Sequence, residues 1–114
     1  MATEQQIQSE CFLWHWNTYP LERRMLFHID NNSSDRRTGN LKKAQGVVRG
    51  VSDFIIVING LVIFIEMKTE IGSQSTHQVV FERMITERGH IYKLVRSVQE
   101  FKDLIIRLYE AIKD

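Results

Sequence analysis

Residues 53–68 read Asp-Phe-Ile-Ile-Val-Ile-Asn-Gly-Leu-Val-Ile-Phe-Ile-Glu-Met-Lys. Two runs rich in β-branched and aromatic side chains, Phe54 to Ile58 and Leu61 to Ile65, flank the dipeptide Asn59-Gly60. Such runs predict strands, and a two-residue Asn-Gly connection predicts a tight hairpin of type I′, in which both central residues take positive φ. The turn sets the register by itself: Ile58 faces Leu61, Ile56 faces Ile63, Phe54 faces Ile65, and Asp53 falls opposite Glu66. Counted outward from the hydrogen-bonded pair Ile58 and Leu61, the Asp53 and Glu66 pair occupies a non-hydrogen-bonded site, with Cα atoms about 4.5 Å apart. Lys68 lies two residues beyond Glu66 and points to the same face, while Phe54, Ile56, Leu61, Ile63 and Ile65 point to the other. Three charged side chains are thus expected at one end of an otherwise apolar hairpin.

Outward from the hairpin, local signals place the remaining elements. Ser75 with Gln78 and Ser97 with Glu100 have capping-box spacing and predict helices over 76–88 and 98–113, with Gly89 ending the first. Between them, Ile91 to Val95 reads as a strand. Towards the N-terminus, Thr3 with Gln6 is a third capping box, and Ile7, Cys11 and Trp14 follow at helical spacing, predicting a helix to about Asn17. Pro20 falls in its exit loop, and Met25 to Ile29 can form a short strand. Asn31-Asn32-Ser33-Ser34-Asp35 through Gly39-Asn40 has the composition of a loop, and Leu41 to Gln45 gives a weak helical signal before Gly46 and Gly50. The order helix, strand, two hairpin strands, helix, strand, helix predicts an α/β fold, a mixed sheet flanked by helices.

The chain has 114 residues, 43% hydrophobic and 25% charged, which suits one globular domain over 1–114 and argues against disorder. The apolar run from Phe54 to Met67 is interrupted by Asn59-Gly60 and is too short for a membrane span. The opening Met-Ala-Thr-Glu-Gln-Gln has no basic segment followed by an apolar one, so no export signal is expected and a cytoplasmic location is. A lone cysteine, Cys11, agrees with a reducing compartment and reads as a small apolar side chain. His15, His28, His77 and His90 show no zinc-type spacing, and Cys11 with His15 is half a site.

Two carboxylates set opposite each other beside Ile55 and Phe64 repel, and something must compensate. A hard divalent cation does so. Mg²⁺, or Mn²⁺ in its place, takes one or two carboxylates, keeps several waters and accepts phosphate oxygens, which is the chemistry of phosphodiester hydrolysis. Lys68 would orient the attacking water or stabilise charge at phosphorus. The plainer reading is an ion pair in which Lys68 neutralises a carboxylate for structure alone. Glu10, three residues after Ile7 and four before Trp14, is placed by periodicity on the arc facing the sheet, either completing a metal site or lying exposed beside the apolar stripe. Glu4 reads as compensation of the helix dipole, and Gln78 as the partner of the Ser75 cap. Residues 23–49 carry Arg23, Arg24, Arg36, Arg37, Lys42, Lys43 and Arg49 against Asp30 and Asp35, a balance of +5, where the whole chain carries +1. Such a segment suits a polyanion such as DNA, or is simply a solvated surface.

Gly50-Val-Ser-Asp53, Ile65-Glu-Met-Lys68-Thr-Glu with Gly72, and Ser75-Thr-His-Gln78 together resemble the VRR-NUC family, the virus-type replication and repair nucleases of the PD-(D/E)xK superfamily. The resemblance extends from the first helix through Leu26-Phe-His-Ile-Asp-Asn31 to Gly89 and Val95-Arg-Ser-Val98. It departs at Ser52, where the superfamily name has proline, and at Asp30. It implies a restriction-endonuclease-like fold, with catalytic residues Asp53, Glu66, Lys68, Glu10 and Gln78. It also implies Mg²⁺ or Mn²⁺ held by Asp53, Glu66, Glu10 and the backbone carbonyl of Met67. Standalone members resemble Holliday junction resolvases that act as homodimers on branched DNA, so the expected activity is a structure-selective endodeoxyribonuclease acting on four-way junctions. A less selective nicking nuclease and a non-catalytic DNA-binding module are the alternatives.

Overall fold

The computed structural model describes residues 1–30 and 36–112. The polar segment 31–35, read above as a loop, lies outside the described residues, as does the expected helix end at 113, and of Arg36 only the backbone is described. In chain order the elements are α1 (Glu4–Thr18), a 3₁₀ helix (Pro20–Met25), β1 (Leu26–His28), α2 (Arg36–Ala44), β2 (Phe54–Ile58), β3 (Leu61–Met67), α3 (Thr76–Glu87), β4 (Ile91–Val95) and α4 (Val98–Ala111). The four strands form one sheet in the order β1-β2-β3-β4. The first two pairings are antiparallel, and β3 with β4 is parallel, joined by the α3 crossover. This is the expected mixed sheet with helices on both faces.

The hairpin register is the one the turn predicts, from Ile58↔Leu61 to Phe54↔Ile65. The turn itself differs. Gly60 takes a left-handed φ of +77°, but Asn59 keeps a negative one, so the connection is not type I′. A two-residue loop was enough to fix the pairing. All three predicted N-caps form: Thr3, Ser75 and Ser97 accept from the amides of Gln6, Gln78 and Glu100, and the first two boxes are reciprocal. Two segments differ from expectation. Pro20 opens a 3₁₀ helix where an irregular loop was predicted, consistent with proline's suitability at a first helical position. Residues 36–40, read as the second half of a loop ending at Gly39-Asn40, are helical instead, and the weak signal at 41–45 is the end of the same helix, which begins at Arg36.

The core lies between the sheet and the pair α1 and α4. Ile7 and Cys11 from α1, and Phe101, Leu104 and Ile105 from α4, pack on Phe54, Ile56, Ile58, Ile63, Ile65 and Met67. On the opposite face α3 covers mainly β3 and β4, where Phe81 meets Phe64 and Tyr92 edge-on with centroids 5.8 and 6.0 Å apart. Glu66 projects to this second face, which is why a carboxylate can sit inside the molecule without interrupting the main core.

Candidate active site

Asp53 precedes β2 and is tied down from both sides. Its backbone carbonyl accepts from Ile29 N at 2.8 Å, and its Oδ2 accepts from the backbone amide of Met67 at 2.6 Å. The second bond fastens the start of β2 to the end of β3, so the predicted juxtaposition of Asp53 with the Glu-Met-Lys stretch is present. Before it, Gly50 has φ +86°, and a Cβ there would fall 2.3 Å from the carbonyl oxygen of His77. The loop therefore rests directly on the first turn of α3. Ser52, where the superfamily name has proline, is buried and donates its hydroxyl to Phe54 O at 3.1 Å.

Glu66 is fully buried. Its Oε1 accepts from the Tyr92 hydroxyl and from Gln74 Nε2 at 3.0 Å. Its Oε2 is buried with no hydrogen-bond partner, and Lys68 Nζ stands 3.9 Å from it. A buried carboxylate oxygen without a donor is costly unless a cation faces it, and at that distance the ammonium supplies charge but no hydrogen bond. Lys68, also buried, leaves β3 with its amide donating to Val95 O at 2.9 Å. Arg96 then clamps the following loop, its Nη1 donating to the carbonyls of Gly72 at 2.6 Å and Thr69 at 2.9 Å.

The electrostatics agree with this crowding. Burial pushes the Asp53 carboxyl upward, the Met67 amide opposes that, and the charges of Glu4 and Glu66 add to the rise. Tyr92 is pushed far up by burial and by its bond to Glu66, so it is a neutral donor.

Of the two readings of Glu10, the structure matches the exposed one, and the carboxylate of α1 whose charge acts on Asp53 is Glu4. The buried side chains of α1 are Ile7, Cys11 and His15, and His15 rotates the inward stripe relative to one drawn through Trp14. At about 100° per residue, Glu4 lies on that stripe and Glu10 well off it. Gln78 makes the cap its sequence context suggested, its Oε1 accepting from Ser75 N at 2.8 Å. Gln74, Glu82 and Tyr92 were missed. Gln74 Nε2 bridges Glu66 and Glu82, but its contacts arise from a loop and from a parallel pairing that no local pattern specifies.

Of the basic residues, Arg24, Arg37, Lys43 and Arg49 are exposed. Arg23 lies over the Trp16 ring at 5.0 Å and donates to Trp16 O, and Lys42 pairs with Asp30 at 3.2 Å. Among the described residues no three His, Cys, Asp or Glu side chains are grouped to hold an ion. The paired acidic centre is Asp53 with Glu66. Among the described residues no helix is long and apolar enough to cross a membrane.

No protein-family model matches the sequence, and no curated protein does either. A solved structure described as a VRR_NUC domain protein matches with a TM-score of 0.79, covering 96% of this chain and 89% of its own, at 17% identity. At that identity the likeness establishes the fold: this chain has the α/β fold of a VRR_NUC domain protein. The family whose motifs the sequence resembles and the family named for the matching fold are the same.

Proposed function

We propose that this chain is a metal-dependent nuclease of the VRR-NUC type that hydrolyses DNA phosphodiester bonds. The observation that carries the reading is the buried Oε2 of Glu66, without a hydrogen bond, beside Lys68, with the Asp53 carboxylate bonded to the amide of the next residue, Met67. The donor set suits a hard divalent cation, Mg²⁺ or Mn²⁺, which when bound supplies Lewis acidity and a more acidic water. Asp53 and Glu66 would hold it, with Glu4 rather than Glu10 as the further carboxylate from α1. The Met67 carbonyl, one residue beyond Glu66, completes the set the resemblance implies. Lys68, released from its role opposite Glu66, would stabilise charge developing on the phosphate. Gln78 and the α3 N-terminus, against which Gly50 packs, would face the substrate. Arg24, Arg37, Lys43 and Arg49 would contact the DNA backbone, positioning rather than reading sequence.

The finer reading is a structure-selective endodeoxyribonuclease that resolves four-way junctions as a homodimer in the cytoplasm. The test is a labelled four-way junction against linear duplex, with Mg²⁺, with Mn²⁺ and with chelator. Metal-dependent paired cuts in the junction are expected. Equal nicking of both substrates favours the less selective nuclease, and binding that survives chelation with no cutting favours a DNA-binding module.

A further inference from the structure

We propose that Tyr92 and Gln74 are positioning residues that set which oxygen of Glu66 is presented to the cation, a role that rests on the nuclease reading above. The two oxygens of this carboxylate are treated unequally. Oε1 takes two donors, one from a strand and one from a loop, while Oε2 takes none. Two converging hydrogen bonds fix the rotation of a carboxylate group that a single bond would leave free, and they leave the other oxygen as the site of highest unsatisfied charge. The donors are themselves held. Tyr92 is buried on β4 with its ring against Phe81, and Gln74 Nε2 donates a second bond to Glu82 Oε1 at 2.7 Å. Glu82 thus anchors Gln74 from α3, and three separate elements act on one carboxylate.

A tyrosine and a glutamine suit this task better than charged donors. An arginine or a second lysine would satisfy Glu66 with a full positive charge and compete with the cation, whereas neutral donors orient the group and leave its charge in place. The geometry therefore points to one-oxygen ligation by Glu66 through Oε2.

The experiment compares wild type, Tyr92→Phe and Gln74→Met in two readouts: direct Mn²⁺ binding by titration calorimetry in the absence of DNA, and the Mn²⁺ concentration giving the half-maximal single-turnover rate. Tyr92→Phe keeps the ring and removes the hydroxyl, and Gln74→Met keeps the length and removes the amide. Each variant is expected to bind Mn²⁺ about 10- to 100-fold more weakly and to need correspondingly more metal, with DNA affinity unchanged and the rate recovering at high Mn²⁺. A merely structural hydroxyl would lower thermal stability without moving the metal dependence. Gln74 is only half buried, so Gln74→Met keeps the proposal testable if Tyr92→Phe fails to fold. If wild type binds Mn²⁺ and cuts, and both folded variants match it in metal affinity, the positioning role is overturned while the nuclease reading stands. If wild type neither binds Mn²⁺ nor cuts, both are overturned.

Discussion

Asp53 and Glu66 are carboxylates that the fold brings together at a cost, so replacing either with its amide separates charge from shape. Asp53→Asn and Glu66→Gln keep the acceptors used by the Met67 amide, Tyr92 and Gln74, and the protein is expected to fold and to bind DNA. Cleavage should fall at least about a hundredfold, because the groups proposed to hold the cation would have lost their charge. Thermal melts with and without Mg²⁺ check the cause: wild type should gain stability from the metal and the variants should not. Lys68 gives a different signature. With its ammonium 3.9 Å from the unsatisfied oxygen of a fully buried glutamate, Lys68→Ala leaves that charge without compensation. The metal-free protein is expected to lose about 3–5 kcal/mol, the range for stripping one partner from a buried pair. Mg²⁺ should restore stability but not the rate, since a cation replaces the lysine's charge without taking the place beside the phosphate proposed for it. Lys68→Arg, a planar fork in a space shaped for a compact ammonium, should not restore full activity. Lys68→Ala cutting at the wild-type rate would remove the residue from the chemistry.

Elements whose instructions are local were legible in the sequence. The hairpin register follows from a two-residue loop, and the helix starts follow from serine or threonine three residues ahead of a matching partner. That one argument also brought Asp53, Glu66 and Lys68 together, because all three lie on a single hairpin. What could not be read depends on pairings across the chain. The parallel register of β3 with β4 sets Tyr92 beside Phe64 and so within reach of Glu66, and Gln74 reaches Glu66 from an irregular loop. Glu4 comes closer to the inward side of α1 than Glu10 for a related reason: a buried histidine is not counted when an apolar stripe is drawn, and His15 shifts the stripe. Gly50 shows the same limit. In the sequence it served only to weaken a helical signal, whereas its main constraint is the α3 backbone, with a would-be Cβ 2.3 Å from His77 O. Gly50→Ala is therefore expected to cost at least about 2 kcal/mol and to lower cleavage by moving α3 away from Asp53, as strained φ and a backbone clash add. At Gly60 the φ is also positive, +77°, but the space is open, so Gly60→Ala should cost only about 1 kcal/mol and leave cleavage intact. Urea unfolding of the two variants, alongside cutting assays, tests the contrast. Equal losses would mean that φ alone matters at Gly50.

For the molecule as a whole, the joint between α1 and α4 sets acid stability. His15 is fully buried in a cluster with Tyr19 and Tyr109, its Nε2 2.8 Å from the Tyr109 hydroxyl, and burial lowers its pKa from 6.5 to about 4. Between those values the unfolded chain binds a proton that the folded chain refuses. The stabilisation from neutral His15 is thus fully present above about pH 6.5 and is lost as pH falls towards 4, a decline of about 3 kcal/mol. Urea midpoints across that range should fall more steeply for wild type than for His15→Phe. A second property of the whole molecule bears on function. Each chain carries one Asp53 and Glu66 centre, whereas resolving a four-way junction requires two cuts on opposed strands, so a two-fold dimer is the simplest arrangement that supplies both. The surface that suits it lies between α1 and β1, where Phe12, Leu13, Trp16 and Phe27 form the apolar part of a groove of about 670 Å³ at the open edge of the sheet. Leu13 is 59% exposed, so Leu13→Glu should spare the fold while placing a charge in any interface formed there. Light scattering at micromolar concentration is expected to give a dimer for wild type and a monomer for Leu13→Glu, and the variant should nick junctions without pairing its cuts. Dimers mixed from wild-type and Glu66→Gln subunits should likewise cut one strand and leave the junction unresolved. A wild-type chain that scatters as a monomer and still makes paired cuts would rule the arrangement out, because one centre would then have to serve both strands in turn.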